Sequence, residues 1–432
     1  MYRSIVVLVL GLLVAAAPAG AADPRRGEQW NLDLIEADAA RATSTGAGAV
    51  VAVVDSGVQA DHPDLAGHVG PGWDEVQRDA TPQDGDGHGT HVLGIVGAAS
   101  GNGVGVESVA PGATLMPIRV LGDDGGGTID DVARGVDYAR THGADVVNLS
   151  LGSEVPLVGA AEGDALDAAI RRAIAAGIVV VAAAGNNGVP VCEQPAAGDG
   201  LLCVGAVDKR RSRSFFSSFG RGLGLVAPGG SGATVAGMEV GEDVLSTFAG
   251  SAYRELAGTS QAAPHVAGVA ALLAARGVRG QAAVTRILAT ASDLGAPGND
   301  AQYGAGLLNA RAAVAGLGGP GGPGSGSPAG TRRPLAPFVR VKRRQRARTV
   351  LRRGIRVRVR AARGGRVRVR VTAHGRLVAR GAHRVRAERG ATVVARITRR
   401  GRRMARGRAF AARVRVRLPG ERRDRVRAIR IR

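Results

Sequence analysis

The sequence predicts an α/β domain built on a parallel sheet, followed by a smaller all-β domain. In the first part of the chain, short Val-rich runs alternate with segments of helical periodicity, and such an order gives a parallel sheet covered on both faces. A stretch rich in Gly, Pro and Ser follows, GLGGPGGPGSGSPAG at 316–330. Beyond it, apolar and basic residues alternate strictly, which is the pattern of strands with one buried face.

The predicted strands of the first domain are short and almost continuously apolar, as strands buried on both faces are. They are Val50–Val54, Thr114–Val120, Val146–Leu151, Ile178–Ala183 and Leu201–Val207. The predicted helices repeat their apolar positions at the spacing of one helical face. They are Val132–Arg140, Asp164–Ala176, Ser260–Ala275 and Gln281–Thr290.

The last part of the chain is predicted to be a small antiparallel β-sandwich. The segments IRVRVR at 355–360, RVRVRV at 366–371 and RVRVRL at 413–418 place Val or Ile on one face and Arg on the other. Further short strands are expected near 376–398 and 426–431, with a helical turn at 398–406.

Charge is distributed very unevenly along the 432 residues. Residues 331–432 hold 38 of the 58 Lys and Arg residues but only three of the 36 acidic ones, so the net charge of this segment is +35. The preceding residues have a net charge of −13, and the whole chain has +22. A domain this basic is predicted to bind an anionic surface such as cell-wall polymer, acidic lipid or nucleic acid. A solvated arginine face without a partner is an equal alternative. Its only aromatic residues are Phe338 and Phe410, which argues against single-stranded nucleic acid.

The N-terminus has the features of a signal peptide. Arg3 supplies positive charge, Ile5–Ala17 is apolar, and Ala19–Ala21 is a small-residue cleavage site. The apolar run is short for a bilayer span, so we expect a secreted monomer without a transmembrane anchor. The predicted organisation is a signal peptide at 1–22, an α/β domain at 23–315, a linker at 316–337 and an Arg-rich β domain at 338–432.

The chain has two cysteines, Cys192 and Cys203. In an exported protein they are predicted to form a disulfide, because secretion exposes them to an oxidising environment. Two buried thiols are the alternative. Neither cysteine has the surroundings of a nucleophile.

Three short segments carry the chemistry. They are VAVVDSGV at 51–58, DGHGTHVLGIVGA at 86–98 and GTSQAAPHVAG at 258–268. Each holds one reactive side chain, Asp55, His88 and Ser260. A serine hydroxyl attacks well only when a histidine takes its proton and a buried carboxylate orients that histidine. Asp55 ends a predicted strand, whereas His88 and Ser260 each begin a helix, where unpaired N–H groups favour negative charge.

The order Asp, His, Ser and these long motif strings resemble the subtilases (peptidase S8 type), over roughly residues 28–315. The resemblance implies a subtilisin-like three-layer fold and a secreted serine endopeptidase that needs no cofactor for its chemistry. It implies that His88 rather than His91 is the base. It also implies that Asn186 donates to the oxyanion together with the backbone N–H of Ser260, with Asn187 as the competing candidate. An inactive fold kept as a binding protein is the rival class, although none of the three catalytic residues is missing.

The same resemblance implies two walls for the primary specificity pocket, where small residues leave room for a large apolar or aromatic side chain. The wall residues are Ser150, Leu151, Gly152, Ala183 and Gly185. The first wall is expected to pair with an extended protein or peptide substrate as an added strand. The floor of the pocket is not assigned.

Two further features are open. Asp64 and Asn102 match positions that hold a structural calcium in many subtilases, and turn-forming side chains are an equal alternative. Secreted subtilases usually carry a pro-segment before the catalytic body, yet only residues 23–28 intervene here, so we expect folding without one or inhibition by another element.

A cluster of acidic residues is predicted to be a solvated rim. Its members are Asp84, Asp86, Asp123, Asp124 and Asp130.

Overall fold

The chain divides into two compact units, Met1–Ser325 and Gly326–Arg432. In the first unit the computed structural model describes residues 21–152, 160–232, 234–235, 238–239 and 242–318. In the second it describes 338–340, 344–345, 355–360, 365–373, 376–385, 390–399, 410–418 and 425–431. The predicted signal peptide up to residue 20, the predicted linker from 319 onward and residues 400–406 of the predicted helical turn lie outside the described residues.

The first unit is built on a parallel sheet of seven strands, in the order β2-β3-β1-β4-β5-β6-β7. The strands are β1 (Val50–Asp55), β2 (Trp73–Asp74), β3 (Thr114–Arg119), β4 (Val146–Leu149), β5 (Val179–Ala183), β6 (Leu202–Val207) and β7 (Leu223–Pro228). All five predicted strands are present within two residues of their expected ends. The sequence analysis missed β2, which has two residues, and β7, LGLVAP, whose apolar run Gly224 interrupts.

The predicted helices Ser260–Ala275 and Gln281–Thr290 agree with the observed ones within one residue at each end, whereas the observed helices begin three residues before the predicted Val132–Arg140 and four before Asp164–Ala176. The helices are α1 (Trp30–Leu34), α2 (Ala37–Arg41), α3 (His88–Gly97), α4 (Ile129–His142), α5 (Ala160–Ala175), α6 (Thr259–Ala275), α7 (Gly280–Ala289) and α8 (Ala310–Val314), after a 3-10 turn at Arg26–Glu28. At the ends of α4, the Thr128 side chain accepts the Asp131 N–H at 3.1 Å, and Gly143 follows with φ 91°.

Alternate side chains of β1 enter two different apolar cores, one on each face of the sheet. Val51 and Val53 belong to the core that α3, α6, α7 and α8 cover. Ala52 and Val54 belong to the core that α4 and α5 cover. The result is helices, sheet and helices in three layers, which confirms the predicted fold class.

An antiparallel hairpin, β10 (Val244–Phe248) and β11 (Ala252–Leu256), lies outside the main sheet and packs against α3. A second, shorter hairpin pairs β8 (Thr234–Val235) with β9 (Met238–Glu239). Within the described part of the chain, no helix combines the length and apolarity that crossing a bilayer requires.

The second unit is an all-β arrangement in the order β12-β14-β17-β16-β15-β18-β19-β13, antiparallel except for β13 with β19. Its strands are β12 (Phe338–Arg340), β13 (Arg344–Gln345), β14 (Ile355–Arg360), β15 (Gly365–Ala373), β16 (Arg376–Val385), β17 (Gly390–Ile397), β18 (Phe410–Arg417) and β19 (Arg425–Ile431). The predicted alternation is confirmed on β15, where Val367, Val369 and Val371 are buried while Arg368 and Arg370 are exposed.

Candidate active site

Asp55 and His88 form a hydrogen-bonded pair at the carboxyl edge of the sheet. Asp55 is the last residue of β1 and is fully buried, and its Oδ1 accepts a hydrogen bond from His88 Nδ1 at 2.8 Å. A carboxylate can only accept, so the Nδ1 carries the proton and Nε2 keeps a free lone pair. His88 begins α3 directly after Gly87, whose φ of 102° suits a residue without a Cβ.

The pKa of His88 lies above its ordinary value of 6.5. Burial alone lowers this pKa, but the charge of Asp55 and its hydrogen bond outweigh burial, and the charges of Asp86 and Asp84 act in the same direction. The site therefore stabilises the imidazolium that forms when His88 takes up a proton.

Asp84 differs from the predicted solvated rim, because it is buried and caps the helix that begins at His88. Its Oδ1 accepts the Gly87 N–H and its Oδ2 accepts the Thr90 N–H, both at 2.8 Å. Asp84 lies three residues before the N-cap residue Gly87, outside the position where a capping side chain is recognised from sequence, so its burial depends on the folded loop.

Ser56 joins this cap to the strand end. Its hydroxyl donates to Asp84 Oδ1 at 2.9 Å and accepts the Gly89 N–H at 2.8 Å. Asp86 is half-buried and accepts the His88 N–H at 3.0 Å. The remaining members of the predicted rim are exposed, as expected. These are Asp123, Asp124 and Asp130.

The other histidines of the motifs are held in neutral, structural positions. The buried His91 Nε2 donates to the carbonyls of Val244 and Arg254 at 3.1 and 3.0 Å, and burial together with the charge of His88 lowers its pKa to about 3. Burial lowers the pKa of His265 to about 4.

Ser260 is the second residue of α6, in a half-buried position after Gly258. Its backbone N–H lies in the first turn, where helical N–H groups have no partner within the helix. The side chain of Ser150, predicted as part of a pocket wall, is instead buried and donates to the Ser260 carbonyl at 2.7 Å. Ser150 Oγ itself accepts from Asn148 Nδ2 at 2.8 Å.

The side-chain oxygen of Asn186 is fully engaged by Thr259. It accepts the Thr259 N–H and the Thr259 hydroxyl, both at 2.9 Å, so the amide NH₂ is left to face another group. A Cβ built on Gly258 would lie 3.5 Å from Asn186 Nδ2 and 3.6 Å from the Ser260 N. Asn186 Nδ2 and the Ser260 N thus lie near one point beside Gly258, as does the side-chain oxygen of Gln261, which would be 2.8 Å from that Cβ.

Asn187 is committed to a different partner. Its Nδ2 donates to Glu193 Oε2 at 2.6 Å, and its backbone N–H lies 3.3 Å from Glu193 Oε1. Of the two adjacent asparagines, Asn186 is the one with its Nδ2 near the Ser260 N, whereas the Nδ2 of Asn187 is bonded to Glu193.

The two predicted pocket walls are joined by residues 193–194, which the sequence analysis left unassigned. A Cβ on Gly185 would meet Glu193 Oε1 at 2.0 Å, and one on Gly152 would lie 3.9 Å from the Gln194 carbonyl. The Glu193 N–H donates to the Ala184 carbonyl at 2.9 Å. Two predicted wall side chains pack inward: Ala183 is buried in the core, and Leu151 packs against the opposite core.

Cys192 and Cys203 form the predicted disulfide. Both are buried, and Cys203 lies in β6, so the bond ties the segment that precedes Glu193 to the central sheet. The loop that it closes spans 11 positions in sequence.

The calcium candidates lie together, but their arrangement does not fit a cation. Asn102 Nδ2 donates to Asp64 Oδ1 at 3.0 Å, and the Val106 N–H donates to Asp64 Oδ2 at 2.8 Å. The Asn102 side-chain oxygen accepts the Val104 N–H at 2.8 Å. Calcium requires oxygen atoms that converge on one point, whereas here an N–H faces each carboxylate oxygen. Among the described residues, no group of three His, Cys, Asp or Glu side chains could hold a metal ion.

Comparison with known proteins places this architecture in context. The model of the subtilase family matches residues 46–306, a range that includes Asp55, His88, Asn186 and Ser260. Thermitase from Thermoactinomyces vulgaris is 43% identical over 249 residues, which cover 58% of this chain and 83% of thermitase. Subtilisin BL from Lederbergia lenta is 40% identical over 288 residues, 66% of this chain and 98% of that protein.

A solved structure of a protease from Pseudoalteromonas arctica superposes with a TM-score of 0.62 at 32% identity. The match covers 69% of this chain and 99% of that chain. The family match ends before the second unit begins.

Proposed function

The chain belongs to the subtilase family of serine endopeptidases, and on that premise we propose that it hydrolyses peptide bonds outside the cell with Asp55, His88 and Ser260 as its catalytic triad. The observation that carries this assignment is the 2.8 Å hydrogen bond from His88 Nδ1 to the buried Asp55. It leaves Nε2 as the basic nitrogen and holds the ring in one tautomer, as the base of such a triad requires.

The reaction follows from these roles. His88 Nε2 takes the hydroxyl proton of Ser260 while the serine oxygen bonds to the carbonyl carbon of the substrate. His88 then gives that proton to the departing amine as the peptide C–N bond breaks and an acyl-enzyme remains. A water molecule, deprotonated by the same nitrogen, releases the acid and restores the serine.

Asn186 is proposed to stabilise the oxyanion of this reaction together with the backbone N–H of Ser260. The contacts from Thr259 to the Asn186 side-chain oxygen support this role, because they leave the NH₂ group to face another group and its Nδ2 lies near the same point as the Ser260 N. Donors fixed in advance stabilise the developing charge without having to reorganise.

Labelling with a fluorophosphonate and hydrolysis of a peptide library test the proposal. We expect the purified full-length protein to be labelled once, at Ser260, and to cleave peptides, while Ser260→Ala does neither. A folded protein that is neither labelled nor active would instead favour the rival class, a binding protein on an inactive fold.

The extracellular location rests on the sequence of the N-terminus and on the disulfide. We propose that residues 1–22 are removed on export and that the protein acts as a monomer. N-terminal sequencing and light scattering of the protein recovered from culture medium measure both. A retained N-terminus in the cell fraction would contradict export, and a stable dimer would contradict the monomer.

For the second unit we propose binding to an anionic polymer. Four exposed arginines lie in one row across β17, β16, β15 and β18, because directly opposed residues share a face. The row is Arg396, Arg380, Arg370 and Arg415. No acidic residue occurs among the described residues of this unit; Glu388, Glu421 and Asp424 lie outside them. Adjacent like charges repel, so an anion on this face relieves a cost that the free protein bears.

Retention of full-length Ser260→Ala protein on sulfated dextran tests this second role. The salt concentration needed for elution should fall clearly when the four row arginines become Gln. The matched control makes the same charge change at four exposed arginines of the first unit and should elute near the parent. The control positions are Arg171, Arg210, Arg221 and Arg311. Equal shifts in both variants would mean that net charge, not this face, causes retention.

A further inference from the structure

Glu193 lies against Gly185 of one predicted pocket wall, and the next residue, Gln194, lies near Gly152 of the other wall. The Glu193 carboxylate oxygen occupies the space beside the Gly185 Cα, since a Cβ there would meet Oε1 at 2.0 Å. A side chain at position 185 would displace the carboxylate, and the φ of 104° at Gly185 itself favours glycine there. The next residue along the chain from Gly185 is Asn186, the proposed oxyanion donor. The carboxylate therefore lies against the residue that directly precedes the proposed oxyanion donor in the chain.

The surroundings of this carboxylate are polar but neutral. Ser218 Oγ donates to Oε1 at 2.6 Å, Asn187 Nδ2 donates to Oε2 at 2.6 Å, and the Asn187 N–H lies 3.3 Å from Oε1. These donors hold the group in a fixed position without neutralising its charge. No Lys or Arg among the described residues forms an ion pair with Glu193, although ion pairs are frequent elsewhere in this unit.

The contacts also leave acceptor capacity. Two carboxylate oxygens offer about four lone-pair sites, and the neutral donors take three of them. The side chain is partly exposed, so a group that enters the pocket can reach the remaining site. A positively charged N–H donor would bond to the remaining acceptor site and would also neutralise the carboxylate. Hydrogen bonds between charged groups are stronger than hydrogen bonds between neutral ones.

We propose that Glu193 makes this protease prefer substrates with Lys or Arg immediately before the scissile bond. The inference rests on the proposed function and replaces the expectation of a pocket for large apolar side chains. An apolar side chain in this pocket would cover the carboxylate without pairing it, and burying an unpaired charge is costly. An acidic side chain would meet a like charge and is excluded. Glu193 is thus a specificity-determining residue for the same reaction.

The test compares peptides that are identical except for the residue before the scissile bond: Arg, Lys, Phe, Leu or Glu. For the full-length enzyme we expect kcat/KM for Arg or Lys to exceed that for Phe by at least about tenfold, because a site built to pair one polar group discriminates strongly against substrates that lack it. The preference should weaken as ionic strength rises.

Two variants show whether the charge of Glu193 is the cause. Glu193→Gln keeps the shape and removes the charge, so the ratio of kcat/KM for Arg over Phe should fall to about one tenth of its value or less. Ser218→Ala removes one hydrogen bond and keeps the charge, so the basic preference should persist in it.

The outcomes separate the two proposals. If no peptide is cleaved, the proposed function fails and the pocket assignment falls with it. If Phe or Leu is preferred by the unmodified enzyme, or if Glu193→Gln keeps the basic preference, the enzyme stands and this inference is overturned. If Glu193→Gln does not fold, the ratio of kcat/KM for Arg over Phe in the unmodified enzyme still tests this inference.

Discussion

The hydroxyl of Ser150 replaces a helical hydrogen bond that Ser260 lacks. In an α-helix the carbonyl of residue 260 accepts from the N–H of residue 264, but Pro264 has no N–H. Ser150 Oγ donates to that carbonyl at 2.7 Å, and Asn148 holds the hydroxyl in place. The residue that carries the proposed nucleophile is thus fixed by the end of β4 as well as by its own helix.

Ser150→Ala should leave the Ser260 carbonyl without a donor and lower the stability of the fold by about 1–3 kcal/mol. Turnover should fall more than substrate affinity, because Ser150 positions the nucleophile and does not touch the reacting atoms. Pro264→Ala supplies an N–H to the same carbonyl, so the cost of Ser150→Ala should shrink in that background. A double-mutant cycle of urea unfolding and kcat measures this coupling. Strict additivity would contradict it.

Asn186→Leu should reduce kcat by ~100- to 1000-fold with a small effect on KM, since an oxyanion donor acts mainly in the transition state. Asn187→Leu is the matched control, because the Asn187 side chain donates to Glu193 instead. Steady-state kinetics on one peptide provide the comparison. An equal loss of kcat from Asn187→Leu alone would reverse the assignment.

The acid limb of the pH profile of kcat/KM should have its midpoint above 6.5. His88 must be neutral to accept the serine proton, so activity rises as pH passes upward through a pKa that Asp55 raises despite burial. Asp86→Asn keeps an acceptor for the His88 N–H but removes a charge that raises this pKa, so the limb should move to lower pH. Asp130→Asn, an exposed charge change elsewhere, should leave the limb in place. A limb that moves equally in both variants would exclude a specific effect.

The folded state should lose stability as pH falls from 6.5 toward 5. His91 and His265 stay neutral in the fold, with pKa values lowered to about 3 and about 4, whereas the unfolded chain protonates them near 6.5. Each of these two histidines therefore lowers the free energy of unfolding by about 1.4 kcal/mol for every pH unit by which the pH falls in this window. The raised pKa of His88 acts oppositely, but its contribution is complete once pH has fallen below 6.5.

Urea unfolding of the Ser260→Ala form at several pH values avoids autolysis and gives this slope directly. In His265→Gln the slope of the free energy of unfolding against pH, between pH 6.5 and 5, should decrease by the amount that corresponds to the uptake of about one proton on unfolding. An unchanged slope would show that His265 does not resist protonation in the fold.

Removing the disulfide by Cys192→Ala together with Cys203→Ala should lower the free energy of unfolding by about 3 kcal/mol, from the chain entropy of a loop of this length. Urea unfolding in the Ser260→Ala background measures it. The single variant Cys192→Ala serves as the comparison, and a double variant as stable as the parent would mean that the bond adds nothing.

Secondary structure was predicted best where a single local sequence pattern is sufficient to specify it. The strand β1 is a run of Val and Ala that ends at Asp55, and α6 repeats small and apolar residues over its length, so both were predicted nearly to the residue. The strand β7 was missed because Gly224 and a terminal Pro weaken its local pattern, and its place in the sheet depends on pairing with β6.

The residues of the candidate site also differ in whether a local sequence pattern identifies them. Asp55, His88 and Ser260 stand in long motif strings and could be named from sequence. Asp84 was misjudged, because its neighbours are acidic and exposed while it is buried under the first turn of α3. Glu193 gave no signal, since its importance arises from contact with Gly185, eight positions earlier along the chain.

The sequence by itself determined the class of fold, the family, the residues proposed for the triad and the disulfide, because each is written in periodicity, motif strings or residue type. Only the tertiary structure decided that the Ser150 hydroxyl donates to the Ser260 carbonyl, that Asn186 bonds Thr259 whereas Asn187 bonds Glu193, and that the Glu193 carboxylate lies against Gly185. These depend on which side chains meet across separate strands and loops. Such meetings follow from the packing of the whole sheet, which no local pattern encodes.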